Sequence, residues 1–499
     1  MKRRYPLAAA AAFAALLPAA GAQAALGLSQ SYLVVLKDSQ PNTAGYQLSE
    51  TDRQAALSQV ASSGGAVVRD MSRDIGVLIA QSPLTTFASS LSGSSVVASV
   101  GQDASFQGIP SGATSVDTVT AAPPPNDSPE AHADPLEPLQ WNMALIRAPQ
   151  AHAQRQAGKR AVEVGVLDSG IDGNHVDFHD ALGGGTNVDC AKGHDSLAVL
   201  PPGVAVGTPD PCVDNQFHGT HVAGIIAAQA NDVGVVGVAP NVTLIPVKVC
   251  DSTGFCYVSA VVDGIYYAGL NKFEVINMSF FVDDNSFQQS TRLKCMDDPV
   301  QRTFRLAVER AIDYARMRGV TPVAALGNEE EDLAHPAEPY ENDCEEIPAE
   351  VQGVVGVSAL TAASELASYS NYGDFAVDVA APGGSASRCG TVTEPAGVLS
   401  TIPGAWGCFA GTSMASPHVA GEAALIESQF GYLDKTGDWE MRPQQVEQYL
   451  QGSSIDIGLK GYDECYGNGR IDAVKAVFHD TSVVYEPHNC IHYATQPQP

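Results

Sequence analysis

Residues 161–172 read AVEVGVLDSGID, in which five of the first seven residues are apolar and the run closes on Asp168, Ser169 and Gly170. A short apolar run bounded by turn residues is the pattern of a strand buried on both faces. Similar runs recur at 243–249, 275–278 and 321–325, separated by helical patterns at 220–230, 258–268 and 304–318. Strand alternating with helix predicts an α/β fold, a mostly parallel sheet with helices on both faces. The polar segments after the strands then lie at the carboxyl edge of that sheet, where such folds place their active sites.

Upstream the pattern changes. Strand-like runs at 32–36, 66–69, 75–80 and 96–100 enclose a helical stretch at 52–61 and a second helix opening at Ser82-Pro83, since proline is tolerated in a first turn. The order β-α-β-β-α-β is that of a small α+β, ferredoxin-like domain. Residues 108–138, with Pro123-Pro124-Pro125, show no apolar period and read as a solvated linker. At the start, Lys2-Arg3-Arg4, an apolar stretch at 7–17 and small residues at 22–24 form the layout of a secretory signal peptide cleaved after Ala24. Pro18 interrupts that stretch, which falls short of the ~20 residues needed to span a bilayer. An exported chain without a membrane anchor is expected.

All ten cysteines lie between Cys190 and Cys490. An even count in an exported chain reads as disulfides. Near neighbours suggest Cys250 with Cys256, Cys389 with Cys408, Cys190 with Cys212, Cys295 with Cys344 and Cys465 with Cys490, although spacing alone leaves connectivity open. The absence of a C-x-x-C pair argues against zinc. With a net charge of -29 and 27 Lys and Arg spread over the chain, the clustered cations that nucleic acid binding requires are missing.

Three segments carry chemistry: Val166-Leu167-Asp168-Ser169-Gly170-Ile171-Asp172, His218-Gly219-Thr220-His221-Val222-Ala223-Gly224, and Gly411-Thr412-Ser413-Met414-Ala415-Ser416-Pro417-His418. A serine hydroxyl is a weak nucleophile. It needs an imidazole to take its proton, and that imidazole needs a carboxylate to fix its tautomer. Singly, each residue is more often structural: an aspartate or serine capping a turn or helix, or two histidines binding a metal. Together, and in the order Asp, His, Ser, the segments resemble the signatures of the subtilase family over roughly residues 140–479.

That resemblance implies a subtilisin-like peptidase domain at 139–480, preceded by a signal peptide at 1–24, an inhibitor-like propeptide at 25–107 and a linker at 108–138 that contains the processing region. A tail at 481–499 would be tied by a disulfide. Asp168 would orient His218, His218 would act as general base and acid, and Ser413 would be the nucleophile of a secreted endopeptidase that acts on protein or peptide substrates. The propeptide would be an intramolecular inhibitor removed by self-cleavage, leaving a monomeric enzyme. Asn328, in the segment Val323-Ala324-Ala325-Leu326-Gly327-Asn328-Glu329, would donate to the oxyanion together with the Ser413 N–H. Ser279, Phe280, Ala325, Leu326 and Gly327 would flank the substrate groove by strand addition.

The sequence departs from the family at Phe280-Phe281-Val282, where relatives carry a small Leu-Gly-Gly continuation. Acidic clusters at Asp283-Asp284 and Glu329-Glu330-Glu331 either favour basic substrates or form solvated faces. No cofactor is expected for catalysis. A structural calcium ion is implied at Asp177 and Asn231, although that loop departs from relatives at Ala230 and Asp232. Three other readings stand beside this one: a catalytically degenerate secreted binding module, a metallohydrolase using His218 and His221, which lacks the Glu of a His-Glu-x-x-His helix, and an N-terminal unit that stays attached as an accessory domain.

Overall fold

The structure, a computed structural model, describes residues 29–39, 46–107, 118–119, 134–180, 185–281, 298–334, 345–433 and 439–490. The expected signal peptide, most of the linker, Val282, Asp283-Asp284, Cys295 and Cys344 lie outside the described residues.

In the N-terminal unit, β1 (Gln30–Leu36), α1 (Glu50–Ser62), β2 (Ala66–Asp70), β3 (Val77–Ser82), α2 (Phe87–Leu91) and β4 (Val97–Gln102) follow the expected order. The strands form an antiparallel sheet in the order β2-β3-β1-β4, the ferredoxin-like arrangement. Two boundaries move. Ser82 ends β3 because its hydroxyl donates to the Gly64 carbonyl and accepts from Leu84 N–H, so the helix expected at Ser82-Pro83 begins only at Phe87. The strand expected from Ile75 starts at Val77, after a left-handed Gly76 with φ +66°.

The chain continues through β5 (Ser105–Phe106), β6 (Thr118–Val119), α3 (Trp141–Leu145), α4 (Ala148–Ala153), β7 (Glu163–Asp168), β8 (His194–Asp195), α5 (His218–Ala227), β9 (Thr243–Lys248), β10 (Cys256–Tyr257) and α6 (Val258–Asn271). It then forms β11 (Val275–Met278), α7 (Pro299–Met317), β12 (Thr321–Ala325), β13 (Val355–Leu360), β14 (Val379–Pro382), the hairpin β15 (Val398–Ile402) and β16 (Ala405–Phe409), and α8 (Thr412–Phe430). Helices α9 (Pro443–Ser453) and α10 (Ala473–Phe478) follow. Seven strands form one parallel sheet in the order β14-β13-β12-β11-β7-β9-β8.

Strand alternation sorts the core into two layers. Val164, Val166, Leu244, Val275 and Val323 face α5 and α8. Leu167, Ile245, Val247, Ile276, Met278 and Ala324 face α6 and α7.

The second layer does not end at the α/β unit. Leu33, Val35, Val77 and Ile79 of the N-terminal sheet join it, while the alternate residues Tyr32, Val34, Leu36, Leu78 and Ala80 pack with Ala56, Val60, Phe87 and Leu91 of their own unit. Polar ties fix the docking. Asp103 caps α6 by accepting from the Ser259 N–H at 3.0 Å and the Ser259 hydroxyl at 2.5 Å. Arg69 pairs with Asp263 at 2.5 Å, and Arg310 donates to the Leu36 carbonyl at 2.9 Å. The segment after β4 then adds β5 to β10 as an antiparallel strand.

Residues 134–138, expected to be linker, pack on the α/β unit. Asp134 is fully buried. Its carboxylate accepts from the N–H groups of Asn231 at 3.3 Å and Asp232 at 2.5 Å, and Leu136 N–H donates to the Gly234 carbonyl at 2.7 Å. Disulfides join Cys190 to Cys212, Cys250 to Cys256, Cys389 to Cys408 and Cys465 to Cys490, four of the five suggested pairs.

Glu274 sits at the entry to β11, 6% exposed, where its carboxylate accepts the Glu163 N–H at 2.6 Å. Burial pushes this carboxyl up from 4.5 to about 8. A folded value above the unfolded one means that stability present at acid pH is lost as pH rises from the unfolded value through about 8. Glu274→Gln is expected to flatten that slope, measured as unfolding free energy against pH.

Candidate active site

Asp168 is the last residue of β7 and His218 the first of α5. Both are buried, and His218 Nδ1 lies 3.0 Å from each carboxylate oxygen of Asp168. Asp168 Oδ1 also accepts the Ser169 N–H at 2.7 Å. The carboxylate therefore holds the proton on Nδ1 and leaves Nε2 as the acceptor. That Nε2 is buried and has no hydrogen-bond partner among the described residues. The approach of strand end to helix start requires glycine at 219: a Cβ there would stand 2.1 Å from the Gly170 carbonyl oxygen and 3.1 Å from Asp168 Oδ1.

Ser413 is the second residue of α8, 5% exposed. Its hydroxyl donates to the Ser279 carbonyl at 3.1 Å. Four residues on, Pro417 lacks the N–H that would close the helical bond to the Ser413 carbonyl. Ser279 supplies the missing donor, its hydroxyl lying 2.9 Å from that carbonyl oxygen. Asn277 steadies this contact, donating to Ser279 Oγ at 2.8 Å and accepting from Ser416 Oγ at 2.7 Å. The end of β11 is thus bonded to the first turns of α8.

Asn328 follows β12 through Gly327, whose φ of +101° and close neighbours exclude a side chain. The Asn328 carboxamide oxygen accepts from the Thr412 N–H at 2.8 Å and lies 3.1 Å from the Thr412 hydroxyl, so the amino end faces away from Thr412. The Asn328 carboxamide and the Ser413 N both lie within 4 Å of the point where a Gly411 Cβ would stand, so Asn328 sits against the start of α8. Asn371 pins the loop by donating to the Leu326 carbonyl at 3.0 Å and accepting from the N–H groups of Glu329 at 2.9 Å and Glu331 at 3.0 Å.

Ala325, Leu326 and Gly327 are buried beside Asn328. Ser279 is fully buried beneath Ser413, and Phe280 is 1% exposed within the α6 and α7 core layer. The large residue at 280 thus fills the interior, leaving only its backbone for a groove. Glu329 and Glu330 are exposed.

His218 and His221 do not converge on a common point. His221 Nε2 donates toward the Val398 and Gly407 carbonyls at 3.0 and 3.1 Å, and burial pushes its imidazole down to about 3. Among the described residues no group of three or more His, Cys, Asp or Glu side chains gathers as a metal site.

Asp177 and Asn231 share one corner of the molecule. Asp177 Oδ2 accepts from the Val235 N–H at 3.0 Å and the Trp406 indole at 2.5 Å, whereas the buried Oδ1 has no hydrogen-bond partner. Burial pushes the Asp177 carboxyl up to about 7. Asn231 accepts the Val233 N–H at 3.0 Å and donates to the Val176 and His179 carbonyls, and Gln140 clasps the Val236 backbone of the same loop. The orphaned Asp177 Oδ1 is a hard oxygen of the kind that calcium takes as a ligand.

Three further residues hold these groups in place: Asn371, Ser416 and Asp214, which lies four residues before His218. Ser416 stands inside the quoted Ser413 segment, whereas Asn371 has no local signal because its partners are far away in sequence.

Gly219→Ala is expected to cost at least ~2 kcal/mol of stability, because overpacking at this contact must push β7 and α5 apart, and to separate Asp168 from His218. A denaturation midpoint together with the rate of peptide hydrolysis checks both.

Three kinds of comparison place the chain among known proteins. Residues 159–469 match the subtilase family. A subtilisin from Bacillus pumilus is 34% identical over 337 residues, which cover 67% of this chain and 98% of that protein. Subtilisin E from Bacillus subtilis is 34% identical over the same share of this chain and 70% of its own length. Among solved structures, a lanthipeptide protease superposes with a TM-score of 0.55 at 25% identity over 69% of this chain and 96% of its own. The epidermin leader peptide processing serine protease from Staphylococcus aureus shares the fold with a TM-score of 0.63 at 20% identity, over 94% of this chain and 100% of its own. With a parallel sheet, a buried aspartate-histidine pair and a family match over most of its length, the chain belongs to the subtilase family of serine peptidases.

Proposed function

We propose that this chain is a secreted serine endopeptidase that hydrolyses peptide bonds through an acyl-enzyme on Ser413. The observation that carries the proposal is the His218 imidazole, bonded to Asp168 through Nδ1 with its buried Nε2 left open. In the reaction the Ser413 hydroxyl turns from the Ser279 carbonyl toward Nε2, gives up its proton and attacks the scissile carbonyl carbon. Asp168 stabilises the imidazolium that forms. The tetrahedral oxyanion takes hydrogen bonds from Asn328 Nδ2 and the Ser413 N–H. His218 then returns the proton to the leaving amine, and a water molecule repeats the sequence to free the acid.

The N-terminal unit acts as an intramolecular inhibitor. This is supported by its apolar face on α6 and α7, by Asp103 at the start of α6, and by β5, which covers the backbone edge of β10. Self-cleavage then falls in the linker upstream of Asp134, because residues 134–138 are built into the peptidase unit. Export is supported by the layout of residues 1–24, and among the described residues no helix is long and apolar enough to cross a membrane.

Ser413→Ala is expected to abolish both peptide hydrolysis and release of the N-terminal unit, whereas Asn328→Ala lowers kcat by about 100-fold or more. Intact mass and N-terminal sequencing of the secreted protein provide the readout. Processing that persists in purified Ser413→Ala without added protease sinks the self-cleavage reading.

Calcium would be held at Asp177 and Asn231 in a structural role. Chelation should then lower the melting temperature, added calcium should restore it, and Asp177→Asn should remove the response. A melting temperature indifferent to chelator in the parent protein counts against the site.

A further inference from the structure

We propose that Asp214 is the positioning residue of the Asp168–His218 pair, one buried carboxylate that binds the residue after Asp168 and residues on both sides of His218. The proposal rests on the reading of Asp168 and His218 as members of the catalytic triad.

Asp214 is 6% exposed and lies in the turn before α5. Its Oδ1 accepts from the Ser169 hydroxyl at 3.0 Å, the Gln216 N–H at 2.9 Å and the Phe217 N–H at 3.0 Å. Its Oδ2 accepts from the Thr220 N–H at 2.9 Å and the Thr220 hydroxyl at 2.7 Å. These contacts act at two points. Phe217, immediately before His218, has φ +82°, a left-handed conformation that a bulky residue holds only when its surroundings impose it. The bond to Phe217 N–H and the two to Thr220 fix the chain on either side of the imidazole.

The second point is Ser169, whose hydroxyl donates to Asp214 while accepting the Gly219 N–H at 3.1 Å. Ser169 therefore links the strand end that carries Asp168 to the helix start that carries His218, with Asp214 setting the direction of its hydroxyl. The loop is fixed from below as well. Lys248, at the end of β9, is 1% exposed and donates to the carbonyl of Val213, the residue before Asp214, at 2.7 Å. Five donors converge on its two oxygens, and an amide side chain, with one accepting oxygen, cannot replace a carboxylate that accepts through both.

The test compares Asp214→Asn with the parent for kcat and KM per folded molecule on a soluble peptide, and for the downfield proton resonance of His218 Nδ1–H. Ser169→Ala and Thr220→Val probe the two arms separately. Asp214→Asn is expected to lower kcat about 10- to 100-fold with KM within about twofold. It should also shift the resonance and add no further loss to Asp168→Ala. An unchanged kcat and resonance in folded Asp214→Asn overturn the proposal. If that variant does not fold, unchanged values in both Ser169→Ala and Thr220→Val overturn it. Full activity of Asp168→Ala would instead overturn the triad reading beneath it.

Discussion

The structure depends on a helix that has almost no contact with water. Helix α8 is buried from Thr412 to Ser428, so the polar side chains on it that form hydrogen bonds do so inside the protein. Ser416 finds Asn277, and His418 lies between Asn142 and the Met414 carbonyl. Pro417, which cannot donate, leaves the Ser413 carbonyl to Ser279. These contacts fix the position of α8 along and around its axis against β11 and α3. The location of Ser413 is thus a consequence of interior packing, and a site built on such elements needs little reorganisation to react.

Charge follows from the same burial. Three imidazoles lie on the helices that carry His218 and Ser413, and two of them are forced to be neutral. Burial lowers His221 to about 3 and His418 to about 4, and each bonds to backbone carbonyls instead of a carboxylate. Only His218 of the three has an aspartate against its Nδ1. The neighbourhood therefore holds one imidazole with a carboxylate at its Nδ1, beside two that burial disfavours in the charged form.

Much of this was legible in the sequence because the signals were local. Parallel strands buried on both faces show as apolar runs, and β11 and β12 fall where those runs begin and end. The short segments around Asp168, His218 and Ser413 mark a strand end and two helix starts, as expected from their glycines and the apolar residues beside them. What stayed hidden was non-local. Phe280 reads as a bulky groove residue until the fold turns it into the core. Asn371 serves a loop some forty residues away. Residues 134–138 lack any apolar period because a single buried carboxylate and one apolar side chain hold them. Ser82 lost its helix to a turn contact with Gly64 that no periodicity reports.

Strand β1 has no face that belongs to water. Tyr32, Val34 and Leu36 point into the N-terminal unit, while Leu33 and Val35 point into the peptidase. Separation of the two units would wet an oily surface on each at once. The peptidase unit retains a large interior of its own, whereas the smaller unit would lose one side of its sheet. Such a loss is unequal, so departure would work as a ratchet: the small unit would unravel in solution sooner than find its way back.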